Sequence, residues 1–301
     1  MARPVPLLRP QIILLSWLVA AAALPAAVVL VAAGQGLGAL AGGASWIGVC
    51  TPIHRQPWAI VNEPALTFAA SSHAAGYWLG SVVLPALIAA AAIGFLPRRR
   101  TLASELAAVQ LAWACAAAAL GIVPPLDGAE GHVARWLQLH RLPGAAVWAV
   151  PLAGTVLALP AALHLLALDR EAVRAPSRLR RIAVVTVHLL VPAAAWLLVI
   201  GRLRGAVPRG SAAGFAAVAL GTLLAAAAAV PRRLPFHPEP PGAGTFLRVL
   251  AAAALLWAAV LAAGRPLPGN RAAALLWGRP SATNTLRSWM EPVRPDRLRV
   301  P

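Results

Sequence analysis

Histidine is the residue type in this chain with the widest capacity for chemistry, because an imidazole can bind a metal ion or carry a proton near neutral pH. The sequence contains seven histidines: His54, His73, His132, His140, His164, His188 and His237. Four of them lie inside or at the ends of long apolar runs, where burying an ionisable side chain is costly and usually functional. The four are His73, His140, His164 and His188.

The depths of these four histidines suggest two pairs. His73 and His140 lie where the second and fourth apolar runs meet the outer face of a membrane. His164 and His188 lie in the fourth and fifth runs, about 6–9 Å below the inner boundary at the helical rise per residue. Two histidines that face each other from neighbouring helices can bind the iron of a b-type haem. The spacing therefore predicts that all four are haem iron ligands, in two stacked sites that pass electrons across the membrane.

Arg141 directly follows His140 and joins the candidate cofactor-binding residues. The His140-Arg141 pair resembles the His-Arg pair that opens a membrane helix in haem A synthases, where the arginine can meet a haem propionate. Those proteins place a glutamate three residues before the histidine, and this chain has Leu137 at that position. The resemblance covers only these few residues, and it implies haem binding with Arg141 beside a propionate.

A plainer interpretation of the histidines stays open. Histidines at an interface can bind lipid headgroups and water, and buried ones can bind main-chain carbonyls, without a cofactor. The protein is then a non-catalytic structural or assembly subunit, or a permease component, of a membrane complex. Glu105 is the only acid within the spans and lies near a boundary, which disfavours proton- or cation-coupled transport. No acid–base pair indicates independent catalysis, so the sequence leaves open whether the protein is an enzyme.

Composition indicates where these residues are held. The 301 residues are 60% hydrophobic and 12% charged, whereas a soluble domain carries about 25% charged residues. Apolar runs of about 20 residues, the length that crosses a hydrocarbon core, recur along the chain. The sequence predicts an all-α integral membrane protein, a bundle of about seven transmembrane helices. The predicted spans are 11–33, 74–96, 102–123, 144–168, 182–200, 211–230 and 246–264.

The chain is expected to form one transmembrane domain over residues 1–264, with a long outer loop at 34–73. Residues 265–301 form a basic tail that lies at the membrane surface or binds a partner. Prolines inside the spans are expected to kink the helices and to free carbonyls, which neighbouring helices then satisfy. These prolines are Pro85, Pro151, Pro160 and Pro192.

The net charge of +17 raises the question of nucleic-acid binding. The arginines lie in short clusters between apolar runs, which is typical of anchoring to lipid headgroups, so the lipid bilayer is the predicted partner and nucleic acid is excluded. Inner segments hold 13 arginines and outer loops hold 6, which predicts the N-terminus inside, in a bacterial cytoplasmic membrane. Other membrane subunits, and a quinone at the outer face, are the further predicted partners.

One glycine-rich stretch matches a cofactor pattern. GQGLGA at 34–39 fits the G-x-G-x-x-G/A fingerprint of dinucleotide sites, but it follows an apolar helix rather than a strand. Its glycines are interpreted as sites of close helix packing or as a flexible helix exit.

Overall fold

The structure, a computed structural model, describes residues 6–42, 46–50, 58–61, 72–95, 101–117, 148–169, 173, 177–204, 209–229 and 241–264. Seven apolar helices run through these residues. They are α1 (Pro10–Ala41), α2 (Ser72–Phe95), α3 (Leu102–Trp113), α4 (Ala149–Leu168), α5 (Arg178–Val185, Thr186–Leu190 and Val191–Arg204), α6 (Arg209–Ala228) and α7 (Ala243–Gly264). The predicted helical bundle is confirmed at this level.

Four stretches are long and apolar enough to cross a membrane: Pro10–Ala41, Pro151–Leu168, Arg178–Val199 and Ser211–Ala228. Shorter apolar helices occupy Leu79–Gly94, Leu102–Ala117 and Gly244–Ala259. Large apolar side chains on several helices are more than half exposed, among them Leu87, Leu152, Val156, Leu224 and Leu255. An outward apolar surface of this kind is typical of helices that face lipid.

The strictly all-α prediction needs one correction within the described residues. The segment 34–73, expected to be a loop, begins as helix, because α1 continues to Ala41. It also contains an antiparallel pair of strands, β1 (Trp46–Cys50) and β2 (Trp58–Val61), in which Cys50 pairs with Trp58. Tryptophan, isoleucine and valine favour extended backbone, but the strands are too short to stand out beside the long apolar runs.

Helix α1 lies at the centre of the bundle and packs against α2, α3, α5 and α7. The core joins apolar side chains from several helices, including the fully buried Leu15, Leu106, Leu165 and Leu189. Because α1 contacts most of the other helices, its neighbours are held in place largely through it.

The glycine-rich stretch forms the crossing between α1 and α2. Residues 34–39 are helical, and a Cβ at Gly34 would collide with the main-chain carbonyl of Gly80. A Cβ at Gly80 would in turn collide with the carbonyl of Gly34 and lie 3.1 Å from the Cα of Gly38. The close-packing interpretation is confirmed, and the alternative of a flexible helix exit is wrong, because the helix continues through these glycines.

Pro192 changes the geometry of α5. Proline has no N–H, so the α-helical hydrogen bond to the carbonyl of His188 cannot form. The N–H of Val191 instead bonds to Thr186, five residues earlier, and Thr186–Leu190 form a π turn. This leaves the carbonyls of Val187 and His188 without their α-helical donors, close to two other helices.

Side chains from α1 and α3 donate hydrogen bonds to the freed carbonyls. Trp17 on α1 donates from Nε1 to Val187 at 2.8 Å, and Gln110 on α3 donates from Nε2 to His188 at 2.7 Å. The expectation that neighbours satisfy proline-freed carbonyls is confirmed for Pro192.

Pro25 in α1 repeats this arrangement, since it frees the carbonyl of Ala21. The indole N–H of Trp257 on α7 donates to that carbonyl at 2.9 Å. Trp257 also packs against Trp196 of α5, with ring centroids 5.3 Å apart. One tryptophan thus links α7 to both α1 and α5.

Candidate functional site

Two ionisable side chains meet between α3 and α4. Thr101 caps the start of α3, its Oγ1 accepting the N–H of Ser104 at 3.3 Å, and this places Glu105 in the first turn. His164 lies four residues before the end of α4 at Leu168. Its Nε2 is 2.7 Å from Oε2 of Glu105, within hydrogen-bonding distance. The two helices therefore bring an acid and a base together near one end of the bundle.

The environments of the two partners differ. The side chain of Glu105 is 0% exposed and that of His164 is 20% exposed. Oε1 of Glu105 has no hydrogen-bond partner among the described residues. Leaving a buried polar atom without a hydrogen-bond partner is costly, which distinguishes this carboxyl group from one held only for structural reasons.

A small cavity of about 20 Å³ adjoins His164. Apolar side chains line the rest of it: Ala92, Ile93, Ala108, Val109, Ala112 and Ala161. A cavity of this size accommodates about one water molecule. His164 is the polar side chain among these lining residues.

His188 occupies a second polar cluster, within the π turn of α5. It is 0% exposed, and its Nε2–H donates to the main-chain carbonyl of Leu7 at 3.2 Å. In that tautomer Nδ1 carries the lone pair, and Nδ1 has no partner within the described ranges. Gln110 completes the cluster by donating both to the His188 carbonyl and to Oγ of Ser16, the latter at 2.9 Å.

The structure does not bring the predicted inner pair, His164 and His188, together. Helix α5 begins at Arg178, four residues before the predicted start at 182, so His188 lies ten residues into it. At the α-helical rise His188 is about 15 Å from that end and His164 about 6 Å from the matching end of α4. The Nε2 atom of each imidazole also has a different partner. The cavity beside His164 fits a water molecule and not a porphyrin, so these two residues do not fit a shared haem.

Of the predicted haem-binding residues at the outer face, the structure describes only part. His73 is in the first turn of α2, and only its backbone is described. His140 and Arg141 lie outside the described residues. Within the described ranges no three histidine, cysteine or acidic side chains are grouped as a metal site.

Two arginines of the predicted headgroup clusters bind other groups of the protein. Arg180 donates to both carboxylate oxygens of the buried Asp169, at 2.8 and 3.1 Å. Arg181 is 5% exposed and donates to the carbonyls of Ala226 and Ala227, both at 2.8 Å. These carbonyls end α6 and have no helical donor of their own. These two residues tie α4, α5 and α6 together, and the headgroup anchoring of the arginine clusters stays a prediction.

The sequence contained a signal for the Glu105–His164 pair. The predicted spans place Glu105 three residues after the start of one helix and His164 four residues before the end of the next. Consecutive antiparallel helices put such residues at equal depth, so contact was possible. A position near a helix boundary usually indicates exposure to headgroups, and the structure shows that Glu105 is buried there.

The chain matches no protein-family model, no curated protein and no solved structure.

Proposed function

We propose that this chain is an integral membrane protein of seven transmembrane helices that serves as a non-catalytic subunit or permease component of a membrane complex. One observation carries the proposal: N–H groups of side chains on one helix donate to main-chain carbonyls of another. Trp17, Gln110, Arg181 and Trp257 all do so. Main-chain groups in the hydrocarbon core have no water to bind, so such hydrogen bonds stabilise the association of helices in a membrane. Because these polar groups join helices to one another, we infer that the protein acts through the packing of its helices.

The same proposal gives the chain an orientation. Arg9, Arg178, Arg180 and Arg181 lie at the end of the bundle where α1 and α5 begin, and Arg248 lies in the first two turns of α7. Basic residues favour the cytoplasmic side of a membrane. We propose that this end faces the cytoplasm of a bacterial cell and that α7 ends on the opposite side.

Fusion reporters test the membrane placement. Alkaline phosphatase, active only outside the cytoplasm, is expected to be active when fused after Gly42 or Gly264 and inactive after Phe95. Green fluorescent protein, fluorescent only inside, is expected to give the reverse pattern. An inverted pattern would overturn the orientation, and a chain that alkaline carbonate removes from membranes would overturn the membrane placement.

A second proposal is that the protein transfers electrons through haem b near a quinone. The residues proposed to bind this haem are the outer ones, His73, His140 and Arg141. A reduced-minus-oxidised spectrum with a pyridine haemochrome assay tests it on purified protein. We expect any b-type α-band to be lost in His140→Ala and kept in His164→Ala and His188→Ala, because the inner imidazoles have other partners. A band lost in His188→Ala would restore the inner pair. A featureless spectrum from folded protein would remove haem from the proposal.

A further inference from the structure

We propose that Glu105 and His164 form a proton-exchange site within the bundle, and that the proton enters and leaves through His164. This goes beyond the proposed subunit role and rests on it only for the location of the site in a membrane. The ligand is the proton itself, exchanged with water at the exposed part of the His164 imidazole. The site is proposed to be a working acid–base pair and not only a link between two helices.

The distance within the pair allows direct transfer. Nε2 of His164 and Oε2 of Glu105 are 2.7 Å apart, a separation typical of charge-assisted hydrogen bonds. When the proton moves from the carboxylic acid to the imidazole, the O–H bond breaks and an N–H bond forms, giving carboxylate and imidazolium. The net charge of the pair is zero in both arrangements. Loss of that proton to water leaves a carboxylate, a neutral imidazole and one negative charge.

The difference in burial between the two side chains determines which of them exchanges a proton with water first. Glu105 is 0% exposed, whereas the imidazole of His164 is 20% exposed and lines the cavity. A proton from water therefore meets the imidazole first and reaches the carboxylate by transfer along the hydrogen bond. His164 acts as the entry group and Glu105 as the group that stores the proton.

The unpaired Oε1 of Glu105 argues against a purely structural pair. A carboxylate held only to join helices is usually satisfied at both oxygens, as Asp169 is by the two N–H groups of Arg180. Oε1 has no donor within the described part of the chain. The Glu105 carboxyl group is thus bound at one oxygen only, by His164.

Within the described part of the chain, the surroundings of the pair combine an apolar cavity wall with charged groups that bind elsewhere or are exposed. Helix α2 contributes the apolar Ala92 and Ile93 to the cavity wall. The other charged groups that the structure describes at this end of the bundle bind other residues or are exposed. Asp169 and Arg180 neutralise each other, Arg181 binds the end of α6, and Arg9, Arg178 and Arg248 are exposed.

Infrared spectroscopy of the full chain in lipid tests the proposal. The chain has nine aspartate and glutamate residues, so acidification of the wild type is expected to produce several protonated-carboxyl components that shift in D₂O. The component that belongs to Glu105 is identified as the one lost in Glu105→Gln, which keeps the shape and hydrogen-bonding capacity of the side chain but cannot titrate. Asp169→Asn is the matched control, since it removes a buried carboxylate at the same end and is expected to keep that component.

The role of His164 is tested by kinetics. After a pH jump, His164→Asn is expected to slow the appearance of the Glu105 band by about tenfold or more, because a positioned acid–base group contributes 10²–10⁴-fold to proton transfer. Unchanged kinetics in this variant would overturn the entry role. A protonated-carboxyl spectrum of folded Glu105→Gln identical to that of the wild type would overturn the site. Neither result bears on membrane placement, which the fusion reporters decide separately.

Discussion

Gly80→Ala is expected to destabilise the bundle by about 2–3 kcal/mol, the upper range for overpacking a well-packed interior. The added methyl group would collide with the carbonyl of Gly34 and approach Gly38. A flexible side chain could move aside, but here the obstacles are backbone atoms of α1, so the two helices must separate. Because α1 contacts most of the other helices, the separation weakens more than one interface.

Gly94→Ala is the matched control on the same helix. A Cβ at Gly94 meets nothing within 4 Å, and alanine is a better helix former than glycine by about 1 kcal/mol. This variant is expected to be neutral or slightly more stable than the wild type. The measurement is the free energy of unfolding in mixed micelles titrated with dodecyl sulfate and followed by circular dichroism. Equal changes in the free energy of unfolding for Gly80→Ala and Gly94→Ala would show that α1 and α2 do not cross at Gly34 and Gly80.

A double variant sharpens this test. Gly34→Ala alone is expected to cost about as much as Gly80→Ala, since the collisions are reciprocal. Once one methyl group has forced the helices apart, the second meets less resistance. The double variant should therefore cost less than the sum of the single variants, as expected for residues in direct contact.

Gln110→Leu is expected to destabilise the protein by about 2–4 kcal/mol, because it leaves two buried acceptors unpaired at about 1–3 kcal/mol each. The acceptors are the carbonyl of His188 and Oγ of Ser16. The exposed Gln11 on α1 offers a matched control, and Gln11→Leu is expected to change stability by less than about 0.5 kcal/mol.

Pro192→Ala provides the second half of a double-mutant cycle. It supplies an N–H at position 192, so the carbonyl of His188 can be satisfied inside α5. In this background Gln110→Leu is expected to cost about half as much, because only Ser16 still loses its partner. The same unfolding titration measures the four proteins of the cycle. An equal cost of Gln110→Leu in both backgrounds would show that Pro192 does not create the need for Gln110.

The sequence determined the parts of the fold that depend on local composition. Apolar runs about 20 residues long predict the helices, and these lie close to the predicted spans because length and hydropathy act within each helix. Pro192 predicted a freed carbonyl because a missing N–H is a property of the residue itself. The glycines at 34–39 indicated close packing for the same reason, since a missing Cβ needs no tertiary knowledge.

Only the tertiary structure decided which side chains meet. These helices are apolar on all sides, so no hydrophobic stripe marks the face that turns towards a neighbour. Rotation of each helix about its axis was therefore undetermined, and depth alone suggested that His164 faces His188. The packed bundle instead directs His164 to Glu105 and joins His188 to Leu7. The acid–base pair depends on how two helices are rotated against each other, which neighbouring helices impose and neither helix encodes alone.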